Sequence, residues 1–159
     1  MVANFNIFEF RNNTLGKIYF HELDVTSSLK HRRKLKLFLA SLFQKEKTAF
    51  SRVDIIFCSD PYLLNLNKGF LDHHYFTDTL SFVLSAPGEP VAGELYLSID
   101  SIKGNTTRYL VAYQEELVRV IIHSCLHLCG YLDKPATNNT KMIKRQEAYL
   151  KRWNVSRET

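Results

Sequence analysis

A chain of 159 residues, 45% hydrophobic and 13% aromatic, has the length of one domain and enough apolar material to bury a core without disulfide staples. Its three cysteines, an odd number, point to buried thiols in a reducing compartment, and no stretch approaches the roughly 20 apolar residues of a membrane span. A net charge of +5 favours a polyanionic partner, nucleic acid among others, without identifying it.

Phe5, Ile7, Phe8 and Phe10 predict an opening strand, Asn12-Asn13 a turn, and Lys17 to Phe20 a second short strand. The opening carries Glu9 and has neither a basic leader nor an apolar signal core, so a soluble, cytoplasmic protein is expected. Ser27 or Ser28 can cap a helix running to about Lys47, with Leu35, Phe38, Leu39, Leu42 and Phe43 as its apolar face. The basic start of that helix, Lys30 to Lys36, reads as a solvated face rather than as a site.

Val53 to Phe57 is a β-branched apolar run and predicts a buried strand. Asp60 as N-cap and Pro61 as first helical residue then start a helix through about Asn67. Lys68 to Asp78, with Gly69, Asp72, His73 and His74, has no clear period and reads as a loop. Thr79 to Leu84 and Gly93 to Ile99 predict two strands joined by the turn-rich Ala86 to Pro90, an antiparallel pair in a mixed or antiparallel sheet. A short helix from Asp100, a central helix from about Tyr113 to Cys129 and a last helix capped by Thr137 and ending near Trp153 complete the chain.

The central helix carries the chemistry. At about 100° per residue, Glu116, His123 and His127 fall within about 40° of one another, a polar stripe on a helix otherwise apolar nearly all round. Histidines at i and i+4 can aim ring nitrogens at one metal ion, and Gly130 can end the helix and turn the chain so that Asp133 supplies a third ligand. Cys125 and Cys129 lie about 160° to 200° from the histidines and read as packing residues. Glu116 is read as a general base or, in preference, as a partner that holds a ring N–H or a positive neighbour; Asp78 is read as a turn or capping residue.

Leu66-Asn67, Thr77-Asp-Thr-Leu-Ser-Phe82, Gly93-Glu-Leu-Tyr-Leu-Ser98, and Glu116 leading into His123-x-x-x-His127-Leu-x-Gly-Tyr131 together resemble the YbeY family of bacterial rRNA maturation factors, over roughly residues 50 to 134. The resemblance implies an α+β fold, a mixed sheet packed against helices with the histidine helix central. It also implies a single-strand-specific, metal-dependent endoribonuclease that processes the 3′ end of 16S rRNA and works with the small ribosomal subunit. Three positions depart from the family pattern His-Gly-x-x-His-x-x-Gly-Tyr-Asp-His and its preceding loop. Asp133 stands where the third histidine would be, Ser124 follows the first histidine in place of glycine, and Leu71 occupies the position of a loop arginine.

The expected ion is zinc, for which aspartate is an accepted ligand; the harder donor set also tolerates nickel, manganese or iron. The chemistry expected is hydrolysis of an RNA phosphodiester by water that the ion activates. Lys68, His73, His74, Lys103 and Arg108 are the candidates for holding RNA, with His73 or His74 standing in for the missing arginine. A zinc peptidase is disfavoured because Ser124 occupies the position where such sites place a glutamate base. The non-enzymatic alternative is a ribosome-assembly factor that binds RNA and keeps the metal for structure.

Overall fold

The computed structural model describes residues 16–71 and 78–158, and within them the side chains of Phe70, Leu71 and Glu158 are not described. The expected strand at Phe5 to Phe10, the Asn12-Asn13 turn, and His73 and His74 lie outside the described residues. Four strands and five helices follow one another as β1 (Lys17–Glu22), α1 (Arg32–Lys45), β2 (Phe50–Cys58), α2 (Asp60–Leu71), β3 (Thr79–Val83), β4 (Val91–Ser98), α3 (Ile99–Tyr109), α4 (Tyr113–Leu128) and α5 (Ala136–Glu158). The strands form one sheet in the order β1-β2-β4-β3. β1 and β4 run parallel to β2, and β3 runs antiparallel to β4, so the sheet is mixed as expected.

Alternation along the strands sorts the two faces. Val53, Ile55 and Phe57 of β2 and Leu95 and Leu97 of β4 point to one face, where they pack with Leu35, Leu39, Leu42 and Phe43 of α1, most of α4, and Met142, Tyr149, Leu150 and Trp153 of α5. On the other face Leu63 and Leu66 of α2 cover Cys58, Leu80, Phe82 and Tyr96 in a smaller cluster. Ten of the sixteen residues of α4 are buried, which places it between the sheet and α5 and accounts for its nearly continuous apolar surface. Among the described residues no helix is long and apolar enough to cross a membrane.

Close approach of α4 to the sheet depends on Gly93. A Cβ built there would lie 2.9 Å from Leu128 Cδ2 and 3.2 Å from the Phe82 carbonyl oxygen, one neighbour being the last residue of α4 and the other the backbone of β3. Gly93→Ala is therefore expected to overpack this contact and to destabilise the fold by about 1–3 kcal/mol. Urea denaturation of the two proteins measures it; an unchanged midpoint would show that Leu128 moves aside without cost.

Several boundaries differ from the expectations. Neither Ser27 nor Ser28 caps α1, which begins at Arg32 after His31 in a left-handed conformation. The Ser27 hydroxyl is already engaged: it bonds Glu22 Oε1 at 2.5 Å and accepts from Leu29 N at 3.2 Å, forming a local turn that competes with the helix. Asp60 does not cap α2. Ser59 does, its Oγ accepting from Tyr62 N at 3.3 Å and its carbonyl from Leu63 N at 3.0 Å, while the Asp60 carboxylate takes the hydroxyls of Ser98 and Ser101. α2 also continues to Leu71 through residues expected in a loop, because extending an established helix adds one bond per residue and Gly69 meets no obstacle. α3 begins one residue early, capped by Ser98, and α5 encloses Thr137 and runs to Glu158.

Candidate metal centre

The site is built on the last two turns of α4. Its C-terminus closes on Gly130, at φ +98°, with Gly130 N bonded to His127 O at 3.0 Å and Tyr131 N to Leu126 O at 3.1 Å, a paired arrangement that satisfies the last carbonyls and reverses the chain. That reversal returns Asp133 to the histidine stripe. Asp133 Oδ2 lies 3.7 Å from His127 Nε2, the two Nε2 atoms are 3.2 Å apart, and the three donors lie within 4.8 Å of one another.

The outward nitrogens of both rings are committed. His123 Nδ1 bonds Gln146 Oε1 at 2.7 Å, and the same amide donates through Nε2 to Glu147 Oε1 at 3.1 Å, which orients its oxygen toward the ring. His127 Nδ1 bonds the Tyr131 carbonyl at 3.0 Å. Both acceptors therefore select the Nδ1–H tautomer, and the two Nε2 atoms face each other as lone pairs that cannot bond one another. A cation among Nε2, Nε2 and the Asp133 carboxylate resolves that conflict, so the donor set fits a divalent ion. Burial, with a smaller contribution from neighbouring His127, lowers the pKa of His123 despite the Gln146 bond, which keeps the ring neutral and available as a ligand.

A cleft of about 520 Å³ opens over these donors. Asp78, Glu116, Arg119, Asp133, Gln146 and both histidines line it, along with Thr79, Leu80, Ser81, Val83, Val120 and Leu128. Glu116, 5% exposed, hydrogen-bonds neither ring: it pairs with Arg119 and lies 3.4 Å from Asn105 Nδ2, which also donates to Asp78 Oδ2 at 3.1 Å. Ser124 is fully buried and turned from the cleft, donating to Val120 O at 2.9 Å and lying 2.9 Å from Thr79 Oγ1, so the hydroxyl ties α4 to β3. Lys68 on α2 and Lys103 and Arg108 on α3 are exposed and none lines the cleft. None of the cysteines lines it either; burial pushes the thiols of Cys58 and Cys129 up to about 12 and that of Cys125 well above its ordinary range.

Gln146, Arg119 and Glu46 were not singled out from sequence. Gln146 had a signal: it interrupts the apolar stripe Met142, Tyr149, Leu150 and Trp153 with a polar group. Arg119 lies one turn before His123, about 40° away on the helix. Glu46, just past α1, had none. Its carboxylate, 9% exposed, receives Tyr149 Oη at 2.5 Å, Arg145 Nε at 2.7 Å and Tyr131 Oη at 3.0 Å, pinning the residue whose carbonyl orients His127.

Burial by itself would raise the Glu46 pKa, but the bonds from Tyr149, Arg145 and Tyr131 outweigh it and hold the carboxyl below its ordinary value near 4.5. A depressed carboxylate stabilises the fold fully above its unfolded pKa, and that stability is lost as pH falls through the folded pKa. Glu46→Gln is expected to cost about 1–3 kcal/mol at pH 7 and to show a shallower loss of stability than the native protein as pH drops below about 4.5. Urea denaturation across pH 3 to 7, on the order of one unit per step, tests this; parallel curves would remove Glu46 from the acid response.

A helix and its turn placing two imidazoles and a carboxylate in an open cleft define a candidate metal centre of the catalytic rather than the closed structural kind. A family model described as Endoribonuclease YbeY matches residues 19–154. The chain is 36% identical to the Endoribonuclease YbeY of Cytophaga hutchinsonii over 133 residues, which cover 84% of this chain and 93% of that one. It is 35% identical to that of Porphyromonas gingivalis over 136 residues, covering 86% and 89%. The solution structure of a Thermotoga maritima protein superposes with a TM-score of 0.64 at 27% identity, covering 89% of this chain and 93% of that one. The chain belongs to the endoribonuclease YbeY family, in agreement with the resemblance carried by its histidine motif, and its α+β fold is that of the solved structure.

Proposed function

We propose that the chain is a single metallohydrolase domain that cuts phosphodiester bonds in single-stranded RNA. Its setting is the cytoplasm, in maturation of the 3′ end of 16S rRNA on the small ribosomal subunit. The observation that carries the reading is the convergence of His123 Nε2, His127 Nε2 and the Asp133 carboxylate in an open cleft; the names of the relatives supply the substrate. In this reading the three residues hold one zinc ion, which when bound supplies electrophilic activation of water at neutral pH.

The protein's own groups do the rest. Gln146 and the Tyr131 carbonyl fix the ring tautomers and so keep both Nε2 atoms free of protons. Glu116 acts by holding Arg119 rather than as a base, since its carboxylate is engaged by that guanidinium. Lys68, Lys103 and Arg108, exposed outside the cleft, hold more distant phosphates and make binding salt-dependent.

Purified protein is assayed for bound metal and for cleavage of single-stranded against duplex RNA. Cleavage is expected to be restricted to single strands, to stop on chelation, to return with zinc and to weaken as salt rises. Metal-loaded protein that binds RNA and cuts it under no divalent ion would replace this reading by the assembly-factor one.

A further inference from the structure

The lining of the cleft poses a charge problem. Its fixed charges are Asp78, Glu116 and Asp133 on the negative side and, among the described lining residues, Arg119 alone on the positive side. A phosphodiester brings a further negative charge. An ion at the three donors offsets part of this, but a strand passing over the acidic wall still needs a donor for its phosphate oxygens.

Arg119 is built to be that donor. Its Nη1 pairs with the buried Glu116 and its Nε donates to Glu147 Oε1 at 2.9 Å, two bonds that fix the plane of the guanidinium. Among the described residues its Nη2 makes no hydrogen bond, and Glu115 Oε2 lies 3.9 Å from it. The side chain is 21% exposed and rises from the same rigid helix as His123, one turn earlier. Two arms held by hydrogen bonds and a third that has none is the arrangement of a preorganised donor, which loses little freedom when an anion arrives.

We propose that Arg119 is a substrate-contacting residue whose Nη2 donates to a non-bridging oxygen of the RNA phosphodiester lying over His123, His127 and Asp133. The proposal rests on the RNA reading of the site. Arg119 makes the cleft selective for an anionic backbone, and Glu116 and Glu147 set its aim.

Removing Arg119 alone strands a buried carboxylate, so the test uses Arg119→Met combined with Glu116→Gln, beside Arg119→Lys and the native protein, each checked for folding and metal content. The probe is a short single-stranded oligoribonucleotide and a series in which one linkage at a time is an uncharged methylphosphonate. Native protein is expected to lose affinity strongly at one linkage; the double variant loses that sensitivity while keeping its metal, and cleavage falls by about 10²–10³-fold. Its affinity should also fall less steeply with salt, by close to one phosphate contact. Arg119→Lys is expected to keep the salt response and recover only part of the rate, because an ammonium lacks the fixed fork. A double variant that is folded, metal-loaded and still shows the native pattern of methylphosphonate sensitivity would overturn the proposal. Because the pattern is read from binding, it decides on Arg119 even if native protein binds RNA without cutting it.

Discussion

His127→Ala is expected to reduce RNA cleavage to background and to lower metal affinity by more than about 100-fold. The size follows from its place in the site. Its Nε2 is 3.2 Å from that of His123 and 3.7 Å from Asp133 Oδ2, so it stands between the other two donors and its loss leaves a pair too few to hold an ion. Loss of an outer partner of a ligand typically costs about 10–100-fold in affinity, and loss of the ligand itself exceeds that. The fold should survive, since His127 is half-buried at the cleft and contributes its Nδ1 to a single bond with the Tyr131 carbonyl. Metal content by atomic emission, cleavage rate and a thermal melt on the same preparation separate the effects. A variant that retains one equivalent of metal and native activity would remove His127 from the centre.

Asp133→Ala is expected to have the second largest effect, lowering metal content sharply with little change in stability. Asp133 lies past the helix with its side chain 58% exposed, 3.7 Å from His127 Nε2. Little packing is lost when it is shortened, whereas the donor set falls from three to two. Asp133→His, which restores the residue of the family pattern, should recover binding of zinc with a softer donor set. Metal titration followed by competition with a chelator measures both variants. Unchanged stoichiometry and affinity in Asp133→Ala would show that the carboxylate is a bystander and that a different group completes the site.

Leu71 shows where local reading stops. The sequence places a leucine at the position of the family's loop arginine and leaves the search for a replacement to neighbouring histidines. His73 and His74 lie outside the described residues, while the cation among the described residues that line the cleft is Arg119, from a different element and about fifty positions along the chain. Ser124 shows the reverse case. Its departure from glycine is visible at once, but its accommodation, by bonding back to Val120 and across to Thr79, depends on β3 lying beside α4.

What the sequence determined by itself was what neighbouring residues settle among themselves. The 3.6-residue period put Glu116, His123 and His127 on one stripe and apolar residues around the rest, Gly130 ended the helix, and the turn-rich Ala86 to Pro90 paired β3 with β4 antiparallel. What only the tertiary structure decided were the partners that arrive from elsewhere in the chain. Gln146, 23 residues from His123, selects its tautomer; Glu46, 85 residues from Tyr131, pins the turn that orients His127; Glu147, 28 residues from Arg119, aims the guanidinium. The parallel placement of β1 and β4 on β2, which lays α4 under the sheet, is of the same kind. Periodicity and turn chemistry act over a few residues, whereas pairing register and hydrogen-bond partners depend on which distant segments the buried core brings together, and nothing local to either segment encodes that choice.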